Sequence, residues 1–201
     1  DQIKQKLSGL DRLIFAAPNV SNENLATIWA PSVAEYYNID RNKLSSNSEI
    51  WWRLGSNDDT AYPNLQAGSE PINARIIPWL AWKHNINGLV LTGNGDESLG
   101  LFYPSANKDF SSSIRFDIAR DMIDDWKYLY LLKDLIEKVS KENSSKDKTN
   151  LAKATDLLTI PDISTDLLLN VNIDPEDIAK LRSDIANTIE ALSDCLQDNK
   201  R

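Results

Sequence analysis

The sequence predicts an α/β fold with a parallel sheet and a helical C-terminus. Three observations carry this. Four short apolar runs are each closed by Pro or Gly, helical patterns lie between some of them, and beyond residue 113 the apolar residues recur at helical spacing almost to the end. Strands that alternate with helices imply right-handed crossovers and parallel pairing. Four such strands fit half of a (β/α)8 barrel or a small open sheet, and pattern alone does not separate the two.

The first strand is predicted over Leu13 to Ala17 (LIFAA), closed by Pro18-Asn19, and the second over Leu25 to Ala30 (LATIWA), closed by Pro31. Ser32 to Tyr37 reads as a short helix. Glu49 to Leu54 (EIWWRL) is the third strand, closed by Gly55. A longer helix is predicted over Pro71 to Asn85, because Pro at a helix start gives up an N–H that needs no partner there. Pro78 should kink it. Gly88 to Thr92 (GLVLT) is the fourth strand. Ile114, Ile118, Met122, Trp126 and Leu129 then share one face of a helix from about Ser113 to Lys141. Glu142 to Lys148 is polar and reads as a loop. Asp174-Pro175-Glu176-Asp177 is a strong helix start, followed by an apolar stripe through Ile178, Leu181, Ile185, Ile189, Leu192 and Leu196.

Composition bounds the function. The 201 residues are enough for a domain with a real core, and 41% hydrophobic with 26% charged content is ordinary for a globular chain. A net charge of −8 makes nucleic acid a poor partner, since phosphate binding needs clustered Lys and Arg. No apolar run is long enough to span a bilayer, so membrane insertion is not expected. The N-terminus has neither a secretory pattern nor an initiator Met, and the chain is expected to be processed, trimmed or a fragment. Cys195 stands alone, which excludes an intrachain disulfide and a Cys-based metal site.

Several stretches together resemble one family. They are EIWWRLGSNDDTAYPN, NARIIPWLAWKHNINGLVL, LGLFYPS and SSSIRFDIARDMIDDWKYLYLLKDL. Their order and spacing are similar to the C-terminal part of the catalytic region of glycoside hydrolase family 123 and its relatives. There a Trp-Trp strand leads to a Tyr-Pro-Asn loop (here Trp51, Trp52, Tyr62, Pro63, Asn64), and an Arg-x-x-x-Trp-x-x-Trp-Lys helix follows (Arg75, Trp79, Trp82, Lys83). The likeness covers roughly residues 49 to 135.

The resemblance implies the C-terminal half of a (β/α)8 barrel over residues 1–141, with 142–201 as a helical extension packed on the same domain. It implies a β-linked N-acetylhexosamine glycan as substrate, N-acetylgalactosaminide above all, and a location outside the cytoplasm, extracellular or periplasmic. The chemistry implied is substrate-assisted. The acetamido group attacks, an Asp orients it, and an adjacent Glu is the general acid and base. That needs no cofactor and no metal. The family's Asp-Glu pair lies upstream of anything matched here, so the missing N-terminal half of the barrel is the expected partner and the chain alone is expected to be inactive. Where the family places aromatics at the end of its last strand, this chain has Leu89-Val90-Leu91-Thr92-Gly93-Asn94. A non-catalytic carbohydrate-binding or scaffold barrel is therefore the alternative expectation.

Within this frame Trp29, Trp52, Tyr62 and Asn94 are the expected substrate-binding residues. They lie at or just beyond strand ends, where barrel enzymes keep their sites, and an aromatic face can stack on a sugar. Only one of Trp51 and Trp52 can face the barrel interior, because adjacent strand residues point to opposite sides. Asp96 and Glu97, after Gly93-Asn94-Gly95, read as an acidic turn rather than a catalytic pair. Trp79 and Trp82 read as core, and Arg75 as half of a buried ion pair or a cap on backbone carbonyls. His84 is expected to be structural or exposed, and Arg120–Asp124 to form an i,i+4 pair.

Overall fold

The computed structural model describes residues 14–15, 27–36, 48–55, 61–92, 100–105, 110–142, 148–160 and 174–198. Four strands form one sheet: β1 (Ile14–Phe15), β2 (Ile28–Trp29), β3 (Glu49–Gly55) and β4 (Gly88–Thr92). They pair in chain order, and every pair is parallel. The α/β class and the parallel sheet are as expected. Among the described residues the sheet is open and does not close into a barrel.

The helices are α1 (Val33–Tyr36), α2 (Pro71–Arg75), α3 (Ile77–Lys83), α4 (Ile114–Glu142), α5 (Lys148–Leu158) and α6 (Pro175–Asp198). Ser32 and Glu35 close a capping box on α1. The Glu35 N–H donates to Ser32 Oγ at 3.2 Å, and the Ser32 N–H donates to Glu35 Oε2 at 2.8 Å. The helix expected over Pro71 to Asn85 is two helices broken at Ile76, because Pro78 has no N–H to continue the ladder. Helix α3 ends in a Schellman turn. Asn85 adopts φ 56°, and the Ile86 and Asn85 N–H groups bond the carbonyls of Ala81 and Trp82 at 2.8 and 3.0 Å.

One hydrophobic core runs from Val33 to Leu192. Trp52 and Leu54 of β3 bury into it with Ile77, Trp79 and Leu80 of α3 and Leu129 and Leu132 of α4. The stripe of α6 (Ile178, Leu181, Ile185, Ile189, Leu192) joins the same core, so the C-terminal helices share the hydrophobic interior of the sheet-bearing part. Two long-range bonds fasten this arrangement. Trp82 Nε1 donates to Leu158 O at 3.1 Å, and Lys83 Nζ to Ile160 O at 2.9 Å, so the end of α3 holds the last carbonyl of α5 and one two residues beyond it.

The Phe102-Tyr103-Pro104 stretch forms the first strand of an antiparallel hairpin, β5 (Phe102–Pro104) with β6 (Phe110–Ser112). The expected Arg120–Asp124 pair needs correction. On α4, Arg120 reaches Asp117 at 3.4 Å, while Asp124 takes Lys127 at 2.9 Å; each acid finds a partner one turn away in the i,i+3 direction. Among the described residues no helix is long and apolar enough to cross a membrane.

Candidate functional site

Strand β3 defines two different surfaces. Ile50, Trp52 and Leu54 point to the helices, and Glu49, Trp51 and Arg53 point away. In the parallel register Trp29 pairs with Ile50, and Leu89 and Leu91 pair with Trp52 and Leu54. Trp29 therefore shares the helix-facing side with Trp52.

The expected sugar contacts are placed as follows. Trp52 is 0% exposed, and its ring meets Tyr36 edge-on at 5.6 Å and His84 at 6.0 Å. Trp29 is 3% exposed. Of the two neighbouring tryptophans it is Trp51 that lies on the face away from the helices. Tyr62 is half-buried and packs against the core from the loop after β3. Asn94 lies outside the described residues, as do Asp96 and Glu97.

The side of the sheet away from the helices carries Glu49, Trp51 and Arg53 next to Ile28 and Ala30, the last two 1% exposed. Three fused-ring atoms of Trp51 lie 2.6, 2.7 and 3.0 Å from where a Cβ on Gly88 would sit, which is face-on contact across the neighbouring strand. Trp51 Nε1 donates to Glu49 Oε2 at 2.9 Å. Two residues further on, an Arg53 guanidinium N–H meets Glu35 Oε2 at 3.1 Å, with the side chains 24% and 40% exposed. The Ser32–Arg53 bridge keeps the same register three residues past Trp29, setting Ala30 beside Trp51. The signal was present in the sequence. Ile50, Trp52 and Leu54 alternate with Glu49, Trp51 and Arg53, and Ser32-x-x-Glu35 is a capping box.

Residues 61–70, after β3, are held together by hydrogen bonds centred on Asn64. Asn64, fully buried, donates to Tyr62 O at 2.8 Å and accepts from the Gln66 N–H at 2.9 Å and from Ser69 Oγ at 2.6 Å. Arg115, at the start of α4, donates to Ala67 O at 3.1 Å and also to Ser69 O. This ties residues 67–69 to the start of α4.

Beside β4, an apolar groove of about 550 Å³ runs between Leu89 and Leu91 of the strand and Met122, Ile123, Trp126 and Tyr130 of α4. Deeper in the helical layer Asp125 is 0% exposed and sits between Arg75 at 2.8 Å and Arg182 at 3.3 Å, so Arg75 does form the expected buried pair. Burial pushes the Asp125 carboxyl up to about 6, against the pull of the two guanidiniums. This group ties α2, α4 and α6 together, away from the sheet surface. Among the described residues no cluster of His, Cys, Asp and Glu is arranged to hold a metal ion. Compared with models of known families and with curated proteins, the chain matches none.

Proposed function

We propose that this chain is the C-terminal half of a (β/α)8 barrel of the family 123 glycoside hydrolase type, acting on β-linked N-acetylhexosamine glycans. The acid and base carboxylates belong to the other half of that barrel, outside these residues. The observation that carries the reading is the sheet: four consecutive strands, all parallel and paired in chain order, as barrel strands are. The β4 edge supports it too. It pairs only with β3 among the described residues and lies beside the apolar groove, where a further strand and helix would bury Leu91 and Ile123. Joined to the segment that precedes it in its gene, the chain should release aryl β-N-acetylgalactosaminide, and alone it should not. Release by the chain alone, or none by the joined protein, would overturn the proposal.

A second reading has its own observation. By register the residues of β4 on the Trp51 side are Gly88, Val90 and Thr92, none of them aromatic. That favours a barrel that binds glycans without cleaving them. Binding without turnover in the joined protein would decide for it.

A further inference from the structure

We propose that Arg115 is a positioning residue for sugar binding. It sets the segment carrying Tyr62 against the segment carrying Tyr103, after the C-terminal ends of β3 and β4. The ligand class rests on the glycan reading above; the junction itself rests on contacts among residues 61–70, residues 100–105 and the start of α4.

Position comes first. Residues 61–70 follow β3 and residues 100–105 follow β4, so both belong to connections that leave the C-terminal ends of neighbouring parallel strands. Parallel α/β sheets bind their ligands at that end, with side chains that loops carry and the scaffold holds in place. Each segment carries one tyrosine whose ring keeps some open surface: Tyr62 is half-buried and Tyr103 is 38% exposed. A phenol ring can stack on the C–H face of a pyranose.

The second feature is how the two segments are joined. Arg115 Nη2 donates to Ala67 O at 3.1 Å and to Ser69 O. The Ser69 hydroxyl donates in turn to Asn64 Oδ1 at 2.6 Å, and Asn64 Nδ2 donates to Tyr62 O at 2.8 Å. An unbroken chain of bonds thus runs from Arg115 to the backbone of Tyr62. On the other side Ser113, the residue before α4, donates to Gly100 O, and its Oγ accepts the Arg115 N–H at 3.1 Å. Gly100 sits at φ 58°, and a Cβ there would lie 3.0 Å from Ala67 Cβ and 2.8 Å from the Tyr103 hydroxyl oxygen. Both tyrosine-bearing segments and the start of α4 therefore meet at one point.

The third is what the junction costs. Arg115 is 7% exposed, and its Nη1 is buried with no hydrogen-bond partner. Unlike Arg75 and Arg182, it meets no carboxylate among the described residues. A buried cation without a counter-charge is expensive to desolvate, and an apolar side chain would fill the same space without that cost. What the guanidinium adds is a planar fork that holds two carbonyls two residues apart, fixing the segment in orientation as well as in place.

The test is hydrolysis of an aryl β-N-acetylgalactosaminide by the joined protein, with a titration against methyl β-N-acetylgalactosaminide as the second measurement. Arg115→Met should raise KM and Kd roughly tenfold and change kcat by less than about threefold. A group that served stability alone would lower the folded fraction, and with it the apparent kcat, at constant KM. Arg115→Lys keeps a charged donor and should recover part of the loss. Gly100→Ala pries the two segments apart at the same point and should shift KM in the same direction. In Arg115→Met the Gln66 and Ser69 amides, bonded to Asn64 Oδ1 and Gln66 O, should exchange hydrogen faster than in the parent. If Arg115→Met does not fold, Arg115→Lys and Gly100→Ala carry the test. Folded variants that keep KM and Kd within twofold of the parent would sink the positioning role while the proposed function stands. Sugar binding that weakens in the variants, with no hydrolysis by the parent, would keep the role and remove the hydrolase reading. A parent that neither binds nor hydrolyses the sugar removes both.

Discussion

On β3, Trp52 points into the helical layer and is 0% exposed, whereas its neighbour Trp51 lies across Gly88 on the other face and remains partly open. The two residues are chemically identical and adjacent. What separates them is the two-residue period of the strand, with the described helices packed on the Trp52 side. The helix-facing side is read by volume, since Trp52 is enclosed by residues from several elements. The other side is read by small neighbours, since Trp51 needs Gly88 to have no side chain. The same substitution at the two positions should therefore fail for different reasons.

The most severe break is Trp52→Ala. Removing a fully buried tryptophan should cost about 3–5 kcal/mol of stability in a denaturant titration, and Trp51→Ala should cost clearly less. Equal losses at both positions would dissolve the contrast. A pH series sharpens it by setting the buried charge against the exposed pair. The folded chain holds the Asp125 proton more tightly than the unfolded chain does. This group's contribution is therefore full below about pH 4 and lost as pH rises toward 6. The shift corresponds to roughly 3 kcal/mol. The stability of the parent relative to Asp125→Asn should fall over that interval. A flat difference would mean that Arg75 and Arg182 keep Asp125 ionised throughout.

Gly88→Ala tests the Trp51 side directly. Its Cβ would arrive 2.6 Å from the indole, so the ring must move, at a cost of about 1–3 kcal/mol. Combined with Trp51→Ala most of that cost should disappear, and a double-mutant cycle measures how much. Additive losses would show that the crowding involves something other than Trp51. The smallest effect is expected from Ser32→Ala, which removes one half of the capping box below Arg53 and should cost about 1 kcal/mol or less.

The strands were legible because burial imprints them. Glu49 to Leu54 was expected and Glu49–Gly55 is found, and Gly88 to Thr92 matches at both ends. The β5–β6 hairpin was not legible: its three-residue strands are exposed at every position, so no alternation marks them. Which of Trp51 and Trp52 faces the helices is set by the strand's phase, and Ile50 and Leu54 on the buried side fix it in favour of Trp52. The meeting of Arg75, Asp125 and Arg182 could not be read from spacing, since three helices far apart in the chain must pack before the charges approach. The Glu35–Arg53 pair is the same kind of contact, 18 residues apart and created by strand register.

The clasp between α3 and the end of α5 also sets a clock on synthesis. The Trp82 indole and the Lys83 ammonium leave the ribosome 76 and 77 residues before the carbonyls they will hold. At about 5–20 residues per second that is a wait of roughly 4–15 s. For that interval the β3–α3–β4 segment exists without the helices that complete its interior. A chain cut after residue 141 would keep α4 but lack α5 and α6, with the end of α3 reaching for acceptors that never arrive.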